Sequence, residues 1–370
     1  MNFLGKATVA RLGWTSMAFG LNQALRLVNN IVLARLLAPS LFGLMTIVNA
    51  IRFGIELLSD VGLGQNIVSN PKGHTRDFYD TAWTIQVIRG VILALLCCAL
   101  AIPAAAFFEQ PELKVILPVA AVMIILGGLT SISGALLQKQ INVTRTTMFD
   151  LGTLIIMIAV QIGIALVWPT IWALVIGGVV SYGLALVASY LLIPGMKHRF
   201  FIDRDIAKSV IHFGKWIFLS SIIYFFAMNF DRLYFAKQIT LTELGVYSIA
   251  RSLSDMINAF TSKVTSRILF PTVAGWQLPE ADVRRKVLRG RRLVLLLAAV
   301  GIGALVSVSD HIIGLLYDDR YAGAAIVLPV LLLGAWFSLL CTVNDSIMLG
   351  TARPAFPAPS GGAEPIFFLG

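Results

Sequence analysis

Charge is what this chain has least of. Of its 370 residues, 13% are Asp, Glu, Lys or Arg and 58% are hydrophobic. A soluble globule of this length carries about a quarter of its residues charged, so that class is excluded. Cysteine is scarce as well. Cys97 and Cys98 are adjacent inside an apolar run and Cys341 stands alone, which gives neither a disulfide framework nor metal-ligand spacing. The four histidines, His74, His198, His212 and His311, are scattered without metal spacing, and no motif calls for a cofactor. The apolar stretches also lack alternation. "VILALLCCALAIPAAAFF" and "LGTLIIMIAVQIGIALVW" do not show the period of two of a membrane β-barrel strand. Acids are the minority charge, 19 against 29 Lys and Arg, for a net charge of +10. In a soluble protein that excess would suggest nucleic acid. Here its distribution reads as membrane topology, and no nucleic-acid partner is expected.

What is present is a series of apolar runs long enough to cross a membrane. Runs of about 20 apolar residues read as transmembrane helices, because a span must satisfy its own backbone in hydrocarbon. Ten spans are expected, at roughly 8–36, 40–63, 79–107, 112–138, 147–168, 170–195, 207–236, 241–264, 286–316 and 322–350. The fold class is all-α and polytopic. Lys6 and Arg11 precede no small-residue cleavage site, so the first run reads as an uncleaved helix rather than a signal peptide. Segments on one side of the ten-span arrangement hold nineteen Lys and Arg, from Lys6 to Arg353; the other side holds Arg35, Lys114, Lys237 and Arg320. That bias places the N-terminus in the cytoplasm. The basic run "RRKVLRGRR" at 284–292 is juxtamembrane and suits anionic membrane lipids.

The two halves echo one another. "ARLLAPSLFGLM" at 34–45 resembles "AKQITLTELGVY" at 236–247, with Ala34, Gly43 and Ile47 meeting Ala236, Gly245 and Ile249. "VIRG" at 87–90 matches "VLRG" at 287–290, and "VILPVA" at 115–120 matches "IVLPVL" at 326–331. The echoes share an order and a near-constant offset, so they predict a parallel repeat about an axis along the membrane normal. At the two matching turns, Pro39 is expected to end the first span with Ser40 capping the second. Thr240 and Glu243 form a capping-box pattern. Arg35 and Lys237 are expected to anchor helix ends at the outer headgroups.

"LARLLAPSLFGLMTIV", "SDVGLGQNIVSN" and "NFDRLYFAKQITLTELGVYSIARSLSD" resemble the polysaccharide transporter family, the lipid-linked oligosaccharide flippases of the multidrug/oligosaccharidyl-lipid/polysaccharide exporter superfamily. The most specific part is Asn229-x-Asp231-Arg232 followed by Leu244-Gly245-x-Tyr247-Ser248. The resemblance implies two six-helix bundles around a central cavity that opens alternately to each side. It implies a polyprenyl-pyrophosphate sugar carried outward, with membrane lipids and glycan assembly proteins as partners. The domain reading is a six-helix bundle at 1–205, a second bundle at 206–350 lacking its last helix pair, and a non-spanning tail at 351–370. The tail carries Pro354, Pro357, Pro359 and Pro365, too many for a helix. An inactive truncated remnant is therefore an alternative.

Ionised side chains at mid-bilayer cost about 2.5–3.5 kcal/mol each by insertion scales, so they are the first site candidates. Arg11, Thr15, Asn22, Arg26 and Asn29 share one face of span 1. Thr46, Asn49, Arg52, Glu56 and Ser59 share one face of span 2, and Tyr247, Arg251, Ser254, Asn258 and Thr261 one face of span 8. Such stripes must face a watery cavity or one another. Arg26, Arg52 and Arg251 lie deepest. Glu56 and Asp255 stand one turn beyond the last two, and such pairs can simply neutralise each other. In the light of the resemblance, the three arginines form a cationic site for a pyrophosphate head, lined by Asn22, Asn49 and Asn258, with Glu56 and Asp255 as proton-coupling candidates. A multidrug exporter of the same superfamily is the other transport reading, although organic cations would want an acidic cavity. An enzyme is not expected, because the outer loops are short and no nucleophile–base grouping is present.

Overall fold

The computed structural model describes residues 6–57, 59, 62–70, 73, 75–139, 143–193, 197–264 and 280–350. The expected tail at 351–370 lies outside the described residues, as do the side chains at 284–289 of the basic run. Among the described residues the regular structure is helical throughout. The helices are α1 (Lys6–Leu36), α2 (Pro39–Leu57), α3 (Leu63–Ser69), α4 (Arg76–Phe107), α5 (Leu113–Leu129), α6 (Ser133–Lys139) and α7 (Val143–Val167). There follow α8 (Ile171–Leu191), α9 (Arg204–Gln238), α10 (Leu241–Val264), α11 (Glu280–Ser307), α12 (Ser309–Leu316) and α13 (Ala324–Gly350). Among the described residues six stretches are long and apolar enough to cross a membrane: α2, α4, Arg145–Val167, α8, Gly290–Ser307 and Ala324–Val343. The polar stripes of the sequence fall on α1, α2 and α10.

Local sequence sets the helix ends. Pro39 opens α2 rather than closing α1. Proline suits the first helical position, where its missing N–H would have no partner and its φ is already helical. Ser40 consequently falls inside the first turn instead of capping it. The capping box does form, with Thr240 N donating to Glu243 Oε2 at 2.9 Å and Glu243 N to Thr240 Oγ1 at 3.3 Å. Lys237 has an acidic partner at this helix end. Its ammonium meets Glu109 Oε1 at 2.6 Å, across the turn between α4 and α5, where Glu109 takes a left-handed φ of 57°. The hydrogen bond and charge of Lys237 hold the Glu109 carboxyl below the usual carboxylate range.

Two expected spans are broken. The run at 112–138 is α5 and α6, and that at 286–316 falls within α11 and α12. At the first break the freed carbonyls need donors. The Gln86 amide nitrogen on α4 supplies them, at 3.3, 3.1 and 3.0 Å from the Gly127, Gly128 and Thr130 oxygens. Ser131 N donates to Ser189 Oγ at 2.8 Å, and Ser133 Oγ donates to the Ser189 carbonyl. Gly90 and Gly128 make this approach possible. A Cβ on Gly90 would lie 2.9 Å from the Gly128 Cα.

The chain divides into two compact units at Leu244 and Gly245. In the first, α4 packs on α5, α7 on α8 and α1, and α9 on α2, α3 and α4. In sequence terms α9 opens the second bundle; in space it packs within the first unit. In the second unit, α13 packs on α11 and α12, and Ser254 Oγ of α10 donates to the Leu331 carbonyl of α13 at 3.2 Å.

The link from α8 to α9 is an extended strap, residues 197–203, tied to the start of α4. Asp80, fully buried, accepts from Arg199 Nε at 3.0 Å and Arg199 N at 3.4 Å. Phe201 N donates to Thr84 Oγ1 at 3.0 Å and Asp203 N to Thr81 Oγ1 at 3.1 Å. The Asp203 carboxylate then accepts from Asp205 N and Ile206 N, capping α9. His198 stacks on Trp83 with ring centroids 5.2 Å apart, and its Nε2 meets Ser131 Oγ at 2.8 Å.

Candidate functional site

The deepest candidate site is built on one turn of α2. Helical spacing puts Arg52 and Glu56 on the same face, with side chains 14% and 28% exposed. Arg52 Nη1 donates to Glu56 Oε1 at 2.8 Å and to the Tyr182 hydroxyl on α8 at 2.7 Å, with its guanidinium 5.2 Å from the Tyr182 ring centroid. A second arginine enters from α4. Arg89 Nε donates to Ser59 Oγ at 3.1 Å, and its Nη2 donates to the Glu56 carbonyl. Two guanidinium groups and a single carboxylate thus share the C-terminal turn of α2, whose carbonyls favour cations. Arg52 Nε is buried and has no hydrogen-bond partner among the described residues, so one donor of the fork is uncommitted. Asn49, one turn earlier, is exposed.

On α1, Arg26 is exposed and its Nε donates to Asn22 Oδ1 at 2.9 Å, while its charge acts on Asp150 of α7. Asn29 Nδ2 donates to Gln161 Oε1 of α7 at 2.9 Å. The α1 stripe therefore meets polar groups of α7. In the second unit, Arg251 Nε donates to Asp255 Oδ1 at 3.0 Å, and Asn258 is half-buried a turn beyond. Both i,i+4 acid–arginine pairs close as the sequence spacing allows. The Asn229-x-Asp231-Arg232 motif is also tied internally, with Arg232 N on Asp231 Oδ1 at 2.9 Å and Arg232 Nη1 on Asn229 Oδ1 at 3.3 Å.

Three participants escape the sequence reading: Arg89, Tyr182 and Gln161. An arginine inside the apolar run 79–107 was the available signal for Arg89. For Tyr182 and Gln161, on helices with few charges, there was none. Among the described residues no group of three or more His, Cys, Asp or Glu could hold a metal ion.

Residues 32–326 match the model of the family described as "Polysaccharide biosynthesis protein". The chain belongs to this family. The polysaccharide biosynthesis assignment fits relatives of low identity but long overlap. The chain is 20% identical to the teichuronic acid biosynthesis protein TuaB of Bacillus subtilis (strain 168) over 80% of its length, spanning 62% of that protein. It is 22% identical to the lipopolysaccharide biosynthesis protein WzxC of Escherichia coli (strain K12), over 95% of this chain and 71% of that one. Against the succinoglycan biosynthesis transport protein ExoT of Rhizobium meliloti (strain 1021) the identity is 21%, over 95% of this chain and 70% of that one. The fold is similar to that of the lipid II flippase MurJ in an inward closed conformation, with a TM-score of 0.75 at 14% identity, covering 92% of this chain and 77% of that one. The protein is thus a multi-pass membrane member of a polysaccharide biosynthesis family with a transporter fold.

Proposed function

We propose that the protein is a flippase that moves a polyprenyl-pyrophosphate-linked oligosaccharide from the inner to the outer leaflet of a bacterial inner membrane. The observation that carries this reading is the family match over 32–326 on a fold like that of a lipid II flippase. TuaB, WzxC and ExoT are named for three different polymers, so a common activity has to act on something other than the sugar sequence. A lipid pyrophosphate carrier is such a common part. The N-terminus lies in the cytoplasm, and two bundles, 1–205 and 206–350, alternate access around a cationic cavity. Arg26, Arg52 and Arg251 hold the pyrophosphate, with Asn22, Asn49 and Asn258 beside them. A guanidinium fork matches two phosphate oxygens at once, which a lysine cannot do. Glu56 and Asp255 occupy the arginines in the absence of substrate, and their protonation frees the forks for the anion. The protein performs no covalent chemistry; glycan assembly proteins supply and consume its cargo.

The test is glycan export in a strain lacking its own flippase, with protein levels measured in parallel. Export restored by the native chain and abolished by the Arg26→Ala, Arg52→Ala, Arg251→Ala combination is expected. Undiminished export by that triple variant would remove the cationic site from the account.

A further inference from the structure

The strap at 197–203 carries a feature that transport through a cavity does not use. In an extended chain successive residues face opposite sides. Here the backbone N–H groups at alternate positions, Arg199, Phe201 and Asp203, all reach acceptors on α4. The even positions 200 and 202 turn outward, and both are large and apolar. Phe200 is 72% exposed and Ile202 is 51% exposed. Phe200 is held there, its ring 5.0 Å from that of Trp83. Elsewhere most exposed large apolar side chains sit on apolar helices, where lipid tails cover them. The strap is not part of a helix; it follows the end of α8 and lies alongside the first turns of α4. Its flanks carry Lys197, Arg204 and Lys208, all exposed; of the nearby acids Asp203 caps α9, Asp80 and Asp77 hold Arg199, and Asp205 stands exposed in the first turn of α9, so the cations outnumber the exposed acid. An apolar pair held rigidly between cations fits the boundary of a bilayer that carries negative headgroups, with the rings among the upper acyl chains and the ammonium and guanidinium groups on phosphates.

We propose that the strap is an interfacial anchor that seats the start of α9 on anionic phospholipid. The hydrogen bonds to Asp80, Thr81 and Thr84 fix the outward face, and the lipid holds that face at the membrane surface. The occupant is bulk anionic phospholipid and not the phosphate of a transported carrier.

Position 202 is suited to a reporter, because its side chain points away from the α4 contacts. The full chain carrying Ile202→Cys, with Cys97, Cys98 and Cys341 replaced by alanine, is labelled with bimane and reconstituted in phosphatidylcholine vesicles containing phosphatidylglycerol. The expected result is quenching by acyl-brominated lipid and protection from aqueous iodide. Brominated phosphatidylglycerol should quench at several-fold lower mole fraction than brominated phosphatidylcholine. The combination Lys197→Gln, Arg204→Gln, Lys208→Gln should erase that preference while leaving the label in the lipid. Added inorganic pyrophosphate should not alter it. Quenching by iodide in place of lipid would overturn the anchor. Equal quenching by the two lipids, a preference that survives the three glutamines, or one abolished by pyrophosphate would overturn the choice of occupant. Should the glutamine variant fail to insert, the comparison of the two brominated lipids on the otherwise native strap decides alone.

Discussion

Replacing Glu56 by alanine should destabilise the protein by about 2–3 kcal/mol. The estimate starts from removal of one partner of a fully buried ion pair, which costs about 3–5 kcal/mol because the other charge is stranded. Arg52 is well buried, but Glu56 is 28% exposed, so water replaces part of what is lost. Arg52 would keep only the Tyr182 hydroxyl at 2.7 Å, a neutral acceptor. Glu56→Gln retains an oxygen for Nη1 and should cost less, about 1–1.5 kcal/mol. The double replacement Arg52→Ala, Glu56→Ala removes the stranded charge as well and should be milder than the sum of the two single changes, with a coupling of about 1–2 kcal/mol. Arg89 is a built-in control. It bonds the Glu56 backbone carbonyl, which every one of these variants retains. The assay is reversible denaturant unfolding in lipid nanodiscs, followed by tryptophan fluorescence. A single alanine at 56 within about 0.5 kcal/mol of native, combined with additive behaviour in the cycle, would refute the claim that this pair is energetically coupled.

The strap gives a second expectation. Asp80→Ala removes the buried acceptor of two Arg199 donors and should cost about 2–3 kcal/mol, with protease cleavage near residue 200 in the folded variant and none in the native protein. His198 gives a pH dependence. Burial holds its pKa below the ordinary value near 6.5, even though the Asp80 carboxylate pulls it upward. Below that value the unfolded chain takes up a proton that the native state resists, so native stability should fall as pH drops from 7 to 5. His198→Asn should flatten that slope in thermal unfolding curves. For topology, reporter fusions after residues 74, 140, 202 and 278 should read cytoplasmic and those near 39, 110, 241 and 319 external; a sustained inversion from residue 140 onward would contradict the ten-span order.

What the sequence disclosed and what it hid follow from distance along the chain. Arg52–Glu56, Arg251–Asp255 and Thr240–Glu243 are three or four residues apart, where helical geometry alone makes partners. Arg52–Tyr182, Asn29–Gln161 and Lys237–Glu109 join residues more than a hundred apart, and hydrophobic periodicity says nothing about such pairs. Arg89 was in view but read as part of a repeat echo, which concealed its contact with α2. The break between α5 and α6 was hidden because its stretch, "GGLTS", is apolar enough to pass as a continuous span, and Gln86, which supports it, lies on a different helix. The strap was legible only as a basic loop. Nothing local marked Asp80 as its anchor.

The central claim is movement of a lipid pyrophosphate glycan, and the most direct measurement is flipping by the purified protein in vesicles. A fluorescent polyprenyl-pyrophosphate oligosaccharide is placed in both leaflets, and a membrane-impermeant reductant bleaches whatever reaches the outer one. Vesicles containing the native protein should bleach essentially to completion, whereas those with the Arg26→Ala, Arg52→Ala, Arg251→Ala variant should stop near one half, like protein-free vesicles. Bleaching that stops near one half with the native protein, or runs to completion at the native rate with the triple variant, would contradict the account.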